Sequence, residues 1–338
     1  MLNGTLDLRN GNLTQHRRDD LMTTITPCVY DPDAECPTWI KFLKQIVPDR
    51  EVRHYLQKAV GYTLTGDTRE ECFFLLYGDG QNGKSTFTNL ICKLLAGYYA
   101  KTRAETVMAK KDTDNVNHLS ALAALAGKRL VSVSEVGEYD RLNEALIKGI
   151  TGRDPINARF MRQDFFTFLP NFKVWMYANH HPGIVGNDRG IWRRVKAVPF
   201  TVVISDDDKD EQLGAKLEAE LAGILAWAVR GCFRWQDEGL EEPEIIKEAT
   251  KQYRESQDKV QQFLEEQTIL DPYAKTSGSR IFARYLAWLT GQNENFKPTS
   301  TAFGRKLAQH GFTKTKSNGI NLYHGLRLRD FEQEAGVN

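Results

Sequence analysis

The sequence predicts an α/β protein whose central sheet is mostly parallel, on the evidence of two observations. From Cys72 to about Phe200, strand-length apolar runs alternate with helical stretches, which is typical of a sheet covered by helices on both faces. The first of those runs leads into Gly78-x-x-x-x-Gly83-Lys84-Ser85, which fits the phosphate-binding loop pattern without a mismatch. We therefore expect five core strands, at 72–77, 104–108, 129–134, 172–178 and 194–200.

The glycine-rich loop contains the residue types that nucleotide binding requires. Glycines let the backbone curl so that N–H groups point at phosphate oxygens, and the helix predicted at 84–96 adds the positive end of its dipole. We expect Lys84 to reach the β- and γ-phosphates of ATP, and the Ser85 hydroxyl to complete the shell of Mg²⁺. The alternative, a glycine turn with a chance lysine, is disfavoured by the strand before the motif and the helix after it. The predicted nucleotide-binding residues are Gly78, Asp79, Gly80, Gln81, Asn82, Gly83, Lys84, Ser85 and Thr86.

Length and composition limit the other possibilities. A chain of 338 residues predicts a main domain with one or two smaller ones, and a net charge of +1 means that any nucleic-acid surface must be local. The longest apolar stretch, Leu221 to Val229, is too short for a bilayer, which needs about 20 residues. No signal peptide is visible, so we expect no membrane association and a cytoplasmic location. Five cysteines without a Cys-x-x-Cys pair predict free thiols and no structural zinc.

The segments on either side of the core, which we place at 71–205, predict three more regions. Residues 1–70 predict a small α/β collar, with a hairpin turn at Asn10-Gly11 and a pair of helices after Pro37. Residues 206–270 predict a helical connector, with one long amphipathic helix over Leu213 to Cys232 and a solvated, charged helical stretch from Glu241 to Gln267.

Residues 271–338 predict a C-terminal winged-helix domain. Two helices, the second capped by Thr299, precede two short strands that flank Ser317-Asn318-Gly319. Ten Lys or Arg residues face five Asp or Glu residues from Asp271 onward, as a phosphate-contacting surface requires. A basic module that does not bind nucleic acid is the alternative.

ATP hydrolysis needs an acid, a polar sensor and a cation in addition to the loop. Glu135 follows the strand at 129–134 and is the candidate acid, with Glu138 three residues further on. Asn179 follows the strand at 172–178, where its amide can hold the attacking water or the γ-phosphate. Arg193 and Arg194 are the candidate cations that complete a neighbouring subunit's site. For each of these residues an ordinary structural role is the alternative: exposed loop charges, a strand-end turn and an ion pair.

The ordered set of motifs resembles the superfamily-3 helicases, and within them the primase-helicases of phages, plasmids and large DNA viruses. The resemblance covers nearly the whole chain. Its motifs are Tyr30-Asp31-Pro32, Gly61-Tyr62-Thr63-Leu64, Gly78 to Thr86, Ser134-Glu135, Ile147 to Asp154, Ala158-Arg159, Ala178-Asn179-His180-His181-Pro182, Ile191-Trp192-Arg193-Arg194 and Val198-Pro199-Phe200.

The resemblance implies an AAA+-like, usually hexameric ring that hydrolyses ATP between subunits and moves on single-stranded or forked DNA, usually 3′ to 5′. By position, Glu135 becomes the Walker B acid and a Mg²⁺ ligand beside Ser85, and Asn179 becomes the sensor. Arg193 or Arg194 becomes the arginine that acts in trans. A hairpin predicted at 156–169 would grip DNA in the ring channel, with Lys148, Arg159 and Arg162 as the available cations.

Two departures from the family pattern affect the interpretation. Paired acids are common at Walker B, whereas Val136-Gly137 separates Glu135 from Glu138, so the division between metal ligand and base stays open. Longer family members carry a primase or polymerase domain upstream, so we expect a C-terminal piece of a replication protein, or a member without primase, in a bacterial host or virus-infected cell. The alternatives are a nucleotide-switched loader and a DNA-binding initiator; a metabolite kinase fits least.

Overall fold

The computed structural model describes residues 1–109, 115–134, 136–137, 140–186, 188–292 and 298–329. The chain forms two compact units, Met1–Tyr253 and Arg254–Asn338. The division between them falls within the segment that the sequence predicts to be a helical connector.

The first seventy residues form a short hairpin followed by two helices. Strand β1 (Thr5–Leu6) pairs antiparallel with β2 (Leu13–Thr14) around the predicted Asn10-Gly11 turn. Helices α1 (Pro37–Ile46) and α2 (Arg50–Thr63) follow, and the Asp49 carboxylate caps α2 by accepting the Val52 N–H at 2.9 Å. Their assignment as a collar stays a prediction.

A five-stranded parallel sheet forms the centre of the first unit, as the sequence predicts. The strands that follow β1 and β2 in this unit are β3 (Phe73–Tyr77), β4 (Tyr99–Arg103), β5 (Leu130–Ser134), β6 (Ile156–Ala158), β7 (Phe166–Phe168), β8 (Lys173–Ala178) and β9 (Val195–Pro199). The strands of the central sheet lie in the order β4-β5-β8-β3-β9, so that the strand before the phosphate loop pairs with β8 and β9. A separate antiparallel hairpin, β6 with β7, precedes β8.

The prediction of a strand at 104–108 is wrong. Those residues begin with the short helix α4 (Ala104–Val107), and the strand beside β5 lies immediately before it, at β4. The reason is periodicity: Ala104, Val107 and Met108 are buried at the i, i+3, i+4 spacing of one helical face.

Apolar residues on both faces of the sheet are buried against helices. Phe74 and Leu76 belong to one core cluster and Phe73 and Leu75 to another, because successive side chains of a strand point to opposite faces. The helices that accompany the sheet are α3 (Lys84–Leu95), α5 (Asn115–Ala123), α6 (Glu144–Thr151) and α7 (Arg189–Trp192).

The long helix predicted over 213–232 is two helices, α8 (Leu213–Ala219) and α9 (Leu221–Glu238). The break falls at Glu220, whose carboxylate accepts the N–H groups of Thr38 and Trp39 at 2.9 Å each and thereby satisfies the start of α1. The prediction of a solvated helical stretch from Glu241 to Gln267 is also incomplete, because helix α10 (Glu244–Ser256) buries Ile246, Ala249 and Tyr253.

The described part of the second unit contains the elements α11 (Lys259–Gln267), β10 (Thr268–Ser277), α12 (Gly278–Gly291), α13 (Ser300–Gln309), β11 (Lys314–Ser317) and β12 (Ile320–Leu328). Its strands form an antiparallel sheet in the order β10-β12-β11. The long first strand was not predicted; the two strands around Ser317-Asn318-Gly319 were. Thr299 accepts the Ala302 N–H at 3.2 Å and so caps α13, as predicted. The assignment as a winged helix stays a prediction.

Candidate nucleotide site

Two glycines allow the loop after β3 to close on itself. Gly78 has φ +145° and Gly83 has φ +80°, a region that side chains rarely adopt. A Cβ atom at Gly78 would lie 2.1 Å from the Phe200 carbonyl oxygen, and one at Gly83 would lie 2.5 Å from a methyl group of Ile46. The residue type at both positions is therefore fixed by local geometry.

The buried side chain of Asn82 ties the loop to the segment that follows β9. Its amide nitrogen donates to the Phe200 carbonyl at 3.1 Å and to the Asp79 carbonyl. Four residues beyond Phe200, the Ile204 N–H donates to the Gln81 carbonyl at 2.8 Å. These bonds hold the loop in a curled conformation without any contribution from the exposed side chains of Asp79 and Gln81.

Lys84 lies at the first position of α3 and folds back over the loop. Its ammonium group donates to the carbonyls of Gly78 and Asp79, the latter at 3.2 Å, and burial lowers the pKa of the amine. The Ser85 side chain is exposed beside it. A curled backbone with a lysine and a hydroxyl at the helix start fits the phosphates of ATP with Mg²⁺.

The register of β8 brings Asn179 close to the loop. Tyr77 lies opposite Ala178 in the parallel pair, so the next residues along each strand, Gly78 and Asn179, leave the sheet at the same edge. The Asn179 side chain is exposed there. This position at the carboxyl end of the sheet is the one expected for a polar sensor.

The predicted acids Glu135 and Glu138 lie outside the described residues. The strand before them, β5, pairs with β8 and ends at Ser134, so its carboxyl end shares the edge of the sheet where the phosphate loop begins. The Ser134 hydroxyl is buried and has no hydrogen-bond partner among the described residues.

Sequence reasoning named His181 only as part of a family motif and gave it no role; in the structure it packs behind this edge. Its ring lies 4.3 Å from that of Tyr77 and stacks at 4.2 Å on that of Tyr253, between centroids. Burial, with a smaller effect of His180, lowers the pKa of His181 to about 4, so the imidazole is neutral at pH 7. The signal available in the sequence was the His180-His181-Pro182 run directly after a core strand.

The two candidate arginines lie at the opposite edge of the sheet. Val195 pairs with Phe73, the first residue of β3, whereas the phosphate loop follows Tyr77, the last. At about 3.3 Å per residue the strand separates the two ends by roughly 15 Å. Neither arginine is therefore placed beside the phosphate loop of its own chain.

Arg193 and Arg194 differ in what they contact. The Arg194 side chain is 10% exposed, and its guanidinium donates to the Thr151 hydroxyl at 3.1 Å, the Gly190 carbonyl at 2.6 Å and Glu71 at 3.1 Å. The Arg193 side chain is 63% exposed and pairs only with Glu71, at 2.8 Å, among the described residues. Sequence reasoning missed Glu71, which lies two residues before β3.

The cations predicted to contact DNA fall into two groups. Lys148 lies on α6 and forms an ion pair with Asp188 at 2.7 Å. Arg159 and Arg162 belong to the turn between β6 and β7, where Arg159 lies 4.6 Å above the Phe165 ring and Arg162 is exposed with φ +59°. The same turn exposes three large apolar side chains, those of Phe160, Met161 and Phe165, and Leu169 is exposed directly after β7.

Metal-binding, membrane-spanning and disulfide features can be assessed for the described part of the chain. No cluster of three or more His, Cys, Asp or Glu residues that could hold a metal ion occurs among the described residues. No helix there is long and apolar enough to cross a membrane. All five cysteines are buried free thiols, as predicted.

The fold and the loop together define a broad class of protein. A five-stranded parallel sheet with a curled, glycine-containing loop after an interior strand is consistent with a P-loop NTPase-like fold. The apo structure of the NrS-1 C-terminal region is similar, with a TM-score of 0.55 at 12% identity over 88% of this chain and 77% of that one. A second structure of the same region gives a TM-score of 0.53, also at 12% identity.

Sequence relatives narrow that class. Residues 1–48 match the "D5 N terminal like" family model, and residues 76–194 match a family of unknown function, DUF5906. The chain is 29% identical over 283 residues to L207/L206 of Acanthamoeba polyphaga mimivirus, a provisionally named helicase. It is 25% identical over 272 residues to 022R of Frog virus 3, also provisionally named a helicase. It is 22% identical over 313 residues to C962R of African swine fever virus, provisionally named a primase.

These matches support a protein of the viral primase-helicase type, and the resemblance predicted from the motifs is confirmed. They cover 78%, 75% and 85% of this chain, respectively. The chain spans only 29%, 28% and 32% of the length of those relatives.

Proposed function

We propose that this chain is the motor of a superfamily-3 DNA helicase, which hydrolyses ATP between the subunits of a ring and moves along single-stranded DNA during replication. The single observation that carries the proposal is the division of the site between opposite edges of the sheet. Lys84 and Asn179 lie at the carboxyl edge, and the exposed Arg193 lies at the amino edge.

At the carboxyl edge the proposed roles follow from position. ATP with Mg²⁺ supplies the phosphoryl group and a counter-charge when bound. Lys84 leaves the Gly78 and Asp79 carbonyls to reach the phosphates, and Ser85 supplies a metal-ligating hydroxyl. Asn179 orients the attacking water. Glu135 and Glu138 remain the proposed metal ligand and base, in either assignment.

At the amino edge we propose Arg193 as the residue that acts in trans. A cation that stabilises charge on a neighbour's phosphoryl group must be accessible and able to leave its partner. Arg193 meets both conditions, since it is exposed and held only by Glu71 among the described residues. Arg194 is engaged by three partners and buried, which suits a structural role.

The proposed partners are a single-stranded or forked DNA and further copies of the chain in a hexamer or similar ring. The hairpin of β6 and β7 supports the first, because its turn projects two arginines and several exposed apolar side chains. Cations contact the phosphate backbone without regard to sequence, and aromatic rings stack on bases, as in many single-strand binders. An upstream primase domain is proposed from the longer relatives.

The second candidate is a nucleotide-switched loader or initiator that assembles on DNA without unwinding it. The observation that favours it is the basic second unit, which a motor alone does not need. A switch, however, has no use for an arginine that completes a neighbour's site or for an arginine-bearing hairpin. The motor therefore accounts for more of the structure.

The test is ATP hydrolysis by the purified chain as a function of its own concentration, with and without a single-stranded oligonucleotide. A specific activity that rises steeply with concentration and increases with DNA is expected for shared sites on a DNA motor. Hydrolysis per chain that is independent of concentration and indifferent to DNA would contradict the proposal and favour the switch.

A further inference from the structure

The second unit separates its charges along the sequence. From Pro272 to Arg329 the chain has ten Lys or Arg residues and a single acid, Glu294. The acids of the described part of this unit lie earlier, at Glu255, Asp258, Glu265, Glu266 and Asp271. Positive charge is therefore concentrated on α12, α13 and the strands that follow.

Some of these cations have structural roles. Arg284 donates to the Arg329 carbonyl at 3.1 Å, and the Arg329 guanidinium donates to the Thr268 carbonyl at 3.1 Å, which fastens the end of β12 to the start of β10. Arg327 lies 3.9 Å from Asp271. These three residues are not available to an external ligand without loss of internal contacts.

Four other cations lie on α13 and β11, on one face of the sheet. Lys314 is the direct partner of Tyr323, and Lys316, two residues further along β11, points to the same face. Helix α13 packs on that face, because a Cβ atom at Gly304 would lie 2.6 Å from the Tyr323 hydroxyl. The four cations are Arg305, Lys306, Lys314 and Lys316, and the ion pairs found among the described residues include none of them.

The outer side of α13 suits the groove of a nucleic acid. Phe303 and Leu307 are buried in the core of the unit, while Thr301, Arg305 and Gln309 are exposed on the outer side. An α-helix fits the major groove of B-form DNA, and the adjacent segment 313–321, which comprises β11, the turn after it and the start of β12, is exposed along its whole length.

We propose that the face formed by α13, β11 and the β11–β12 turn is a second DNA site, which binds double-stranded DNA. Helix α13 enters the major groove, and Lys314 and Lys316 contact the flanking phosphates. A duplex is favoured over a single strand because α13 and β11 expose no aromatic ring on which bases could stack; Phe303 is buried, and neither element contains another aromatic residue. The absence of acids from 298–329 favours a polyanion over a protein of mixed charge.

The experiment measures binding of the full chain to a labelled blunt 20-base-pair duplex and to one of its single strands by fluorescence anisotropy, without nucleotide and over a series of salt concentrations. The Lys314→Ala/Lys316→Ala double variant and Arg305→Ala should each bind the duplex roughly tenfold more weakly at low salt. The double variant should also lower the slope of log K against log salt by about 2, since each phosphate contact contributes about 0.9.

Lys275→Ala is the matched control. Lys275 is an exposed lysine of the same sheet, but its partner is His324, on the opposite face from Tyr323. This variant should bind the duplex like the unmodified chain. All variants lie on the surface, and thermal unfolding checks that each is folded.

Three results would overturn the proposal. The first is that the double variant binds the duplex as tightly as the unmodified chain does. The second is that Lys275→Ala loses as much affinity for the duplex as the double variant does. The third is that the double variant loses equal affinity for the duplex and for the single strand, as expected of diffuse attraction to any polyanion. The proposal does not depend on the motor: a chain that binds duplex through this face but does not hydrolyse ATP would uphold this site and remove the proposed function.

Discussion

The Phe73 N–H donates a 2.9 Å hydrogen bond to the Arg194 carbonyl, at the end of β3 opposite the phosphate loop. This bond fixes the start of β9 against the start of β3, so the arginine pair is directed away from the phosphate loop of its own chain. Glu71, two residues before Phe73, accepts from both guanidinium groups. The two arginines thus share a partner but differ sharply in exposure, and mutation should separate their roles.

Arg193→Ala should leave the fold intact and abolish hydrolysis in an assembled ring. Loss of a largely exposed ion pair costs at most about 1 kcal/mol of stability, and Glu71 retains Arg194. Mixing Arg193→Ala with Lys84→Ala should restore part of the ATP hydrolysis that each variant lacks alone, because a subunit with an intact loop is then completed by the arginine of a Lys84→Ala neighbour. A mixture that stays as inactive as its two components would mean that the site is not shared.

Arg194→Ala should instead destabilise the protein. It removes a nearly buried guanidinium with three partners and leaves the Gly190 carbonyl and the Thr151 hydroxyl without their donor. The expected cost is about 2–4 kcal/mol in the free energy of unfolding. Urea denaturation of the two single variants measures the contrast, and equal stability of Arg193→Ala and Arg194→Ala would show that the burial difference has no energetic consequence.

Lys84→Ala should abolish ATP hydrolysis while the protein stays folded. The amine is partly desolvated and, among the described residues, forms hydrogen bonds only to backbone carbonyls of the loop. Its removal should therefore change the free energy of unfolding by no more than about 1 kcal/mol. Lys93→Ala is the control, since Lys93 lies on the same helix but pairs with Glu218 on the surface. Hydrolysis at the unmodified rate by Lys84→Ala would refute the phosphate-loop assignment.

Local patterns were enough to predict four of the five strands of the central sheet and the loop after β3. Phe73–Tyr77 is a continuous apolar run, as is β8 after its first residue, Lys173, and the loop motif fixes its own glycines. What the sequence did not reveal depends on residues far apart in the chain. The break at Glu220 exists because its carboxylate caps a helix 182 residues earlier, and Asn82 reaches a carbonyl 118 residues away.

Dependence on residues far apart in the chain also explains why the positions of some site residues could be predicted and those of others could not. Asn179 could be placed by counting strands, because the carboxyl ends of parallel strands meet at one edge. The difference between Arg193 and Arg194 could not, because it is set by contacts with Glu71 and Thr151, which lie 122 and 43 residues away in the chain.

Lys173 should make stability depend on pH. Its amine is buried at the start of β8, donates to the carbonyls of Thr65 and Asp67, and lies 4.5 Å from the Tyr62 ring. Burial, with repulsion from Arg129, lowers its pKa to about 7, against about 10.4 in the unfolded chain. Between these values the unfolded state binds more protons, so the Lys173 contribution should rise with pH, by at most about 1.4 kcal/mol per pH unit.

The measurement compares the unmodified chain with Lys173→Met by urea denaturation from pH 7 to 8.5. The cysteines of the unfolded chain, whose pKa is about 8.5, ionise equally in both proteins, so their effect cancels in the difference. The difference in unfolding free energy between the two should change in favour of the unmodified chain as pH rises. A difference that is flat over this window would mean that the amine is not desolvated.

The hairpin arginines should matter more for DNA than Lys148. Arg162 is exposed at the turn and Arg159 is held over Phe165, whereas the charge of Lys148 is already paired with Asp188. We expect Arg159→Ala and Arg162→Ala each to weaken single-strand binding several-fold, and to reduce DNA stimulation of ATP hydrolysis without loss of the basal rate. Lys148→Ala should have a smaller effect, because the charge of Lys148 is already balanced by Asp188 and contributes little to the affinity for DNA.

Two further variants complete this test. Phe165→Leu keeps an apolar side chain but removes the ring under Arg159, so it should weaken single-strand binding in the same direction as Arg159→Ala. Lys209→Ala is the control, because Lys209 is a surface lysine paired with Asp206 outside the hairpin. If Lys209→Ala and Arg162→Ala weakened binding equally, the DNA contact would depend on overall charge, and the hairpin would lose its assigned role as the element that grips the strand.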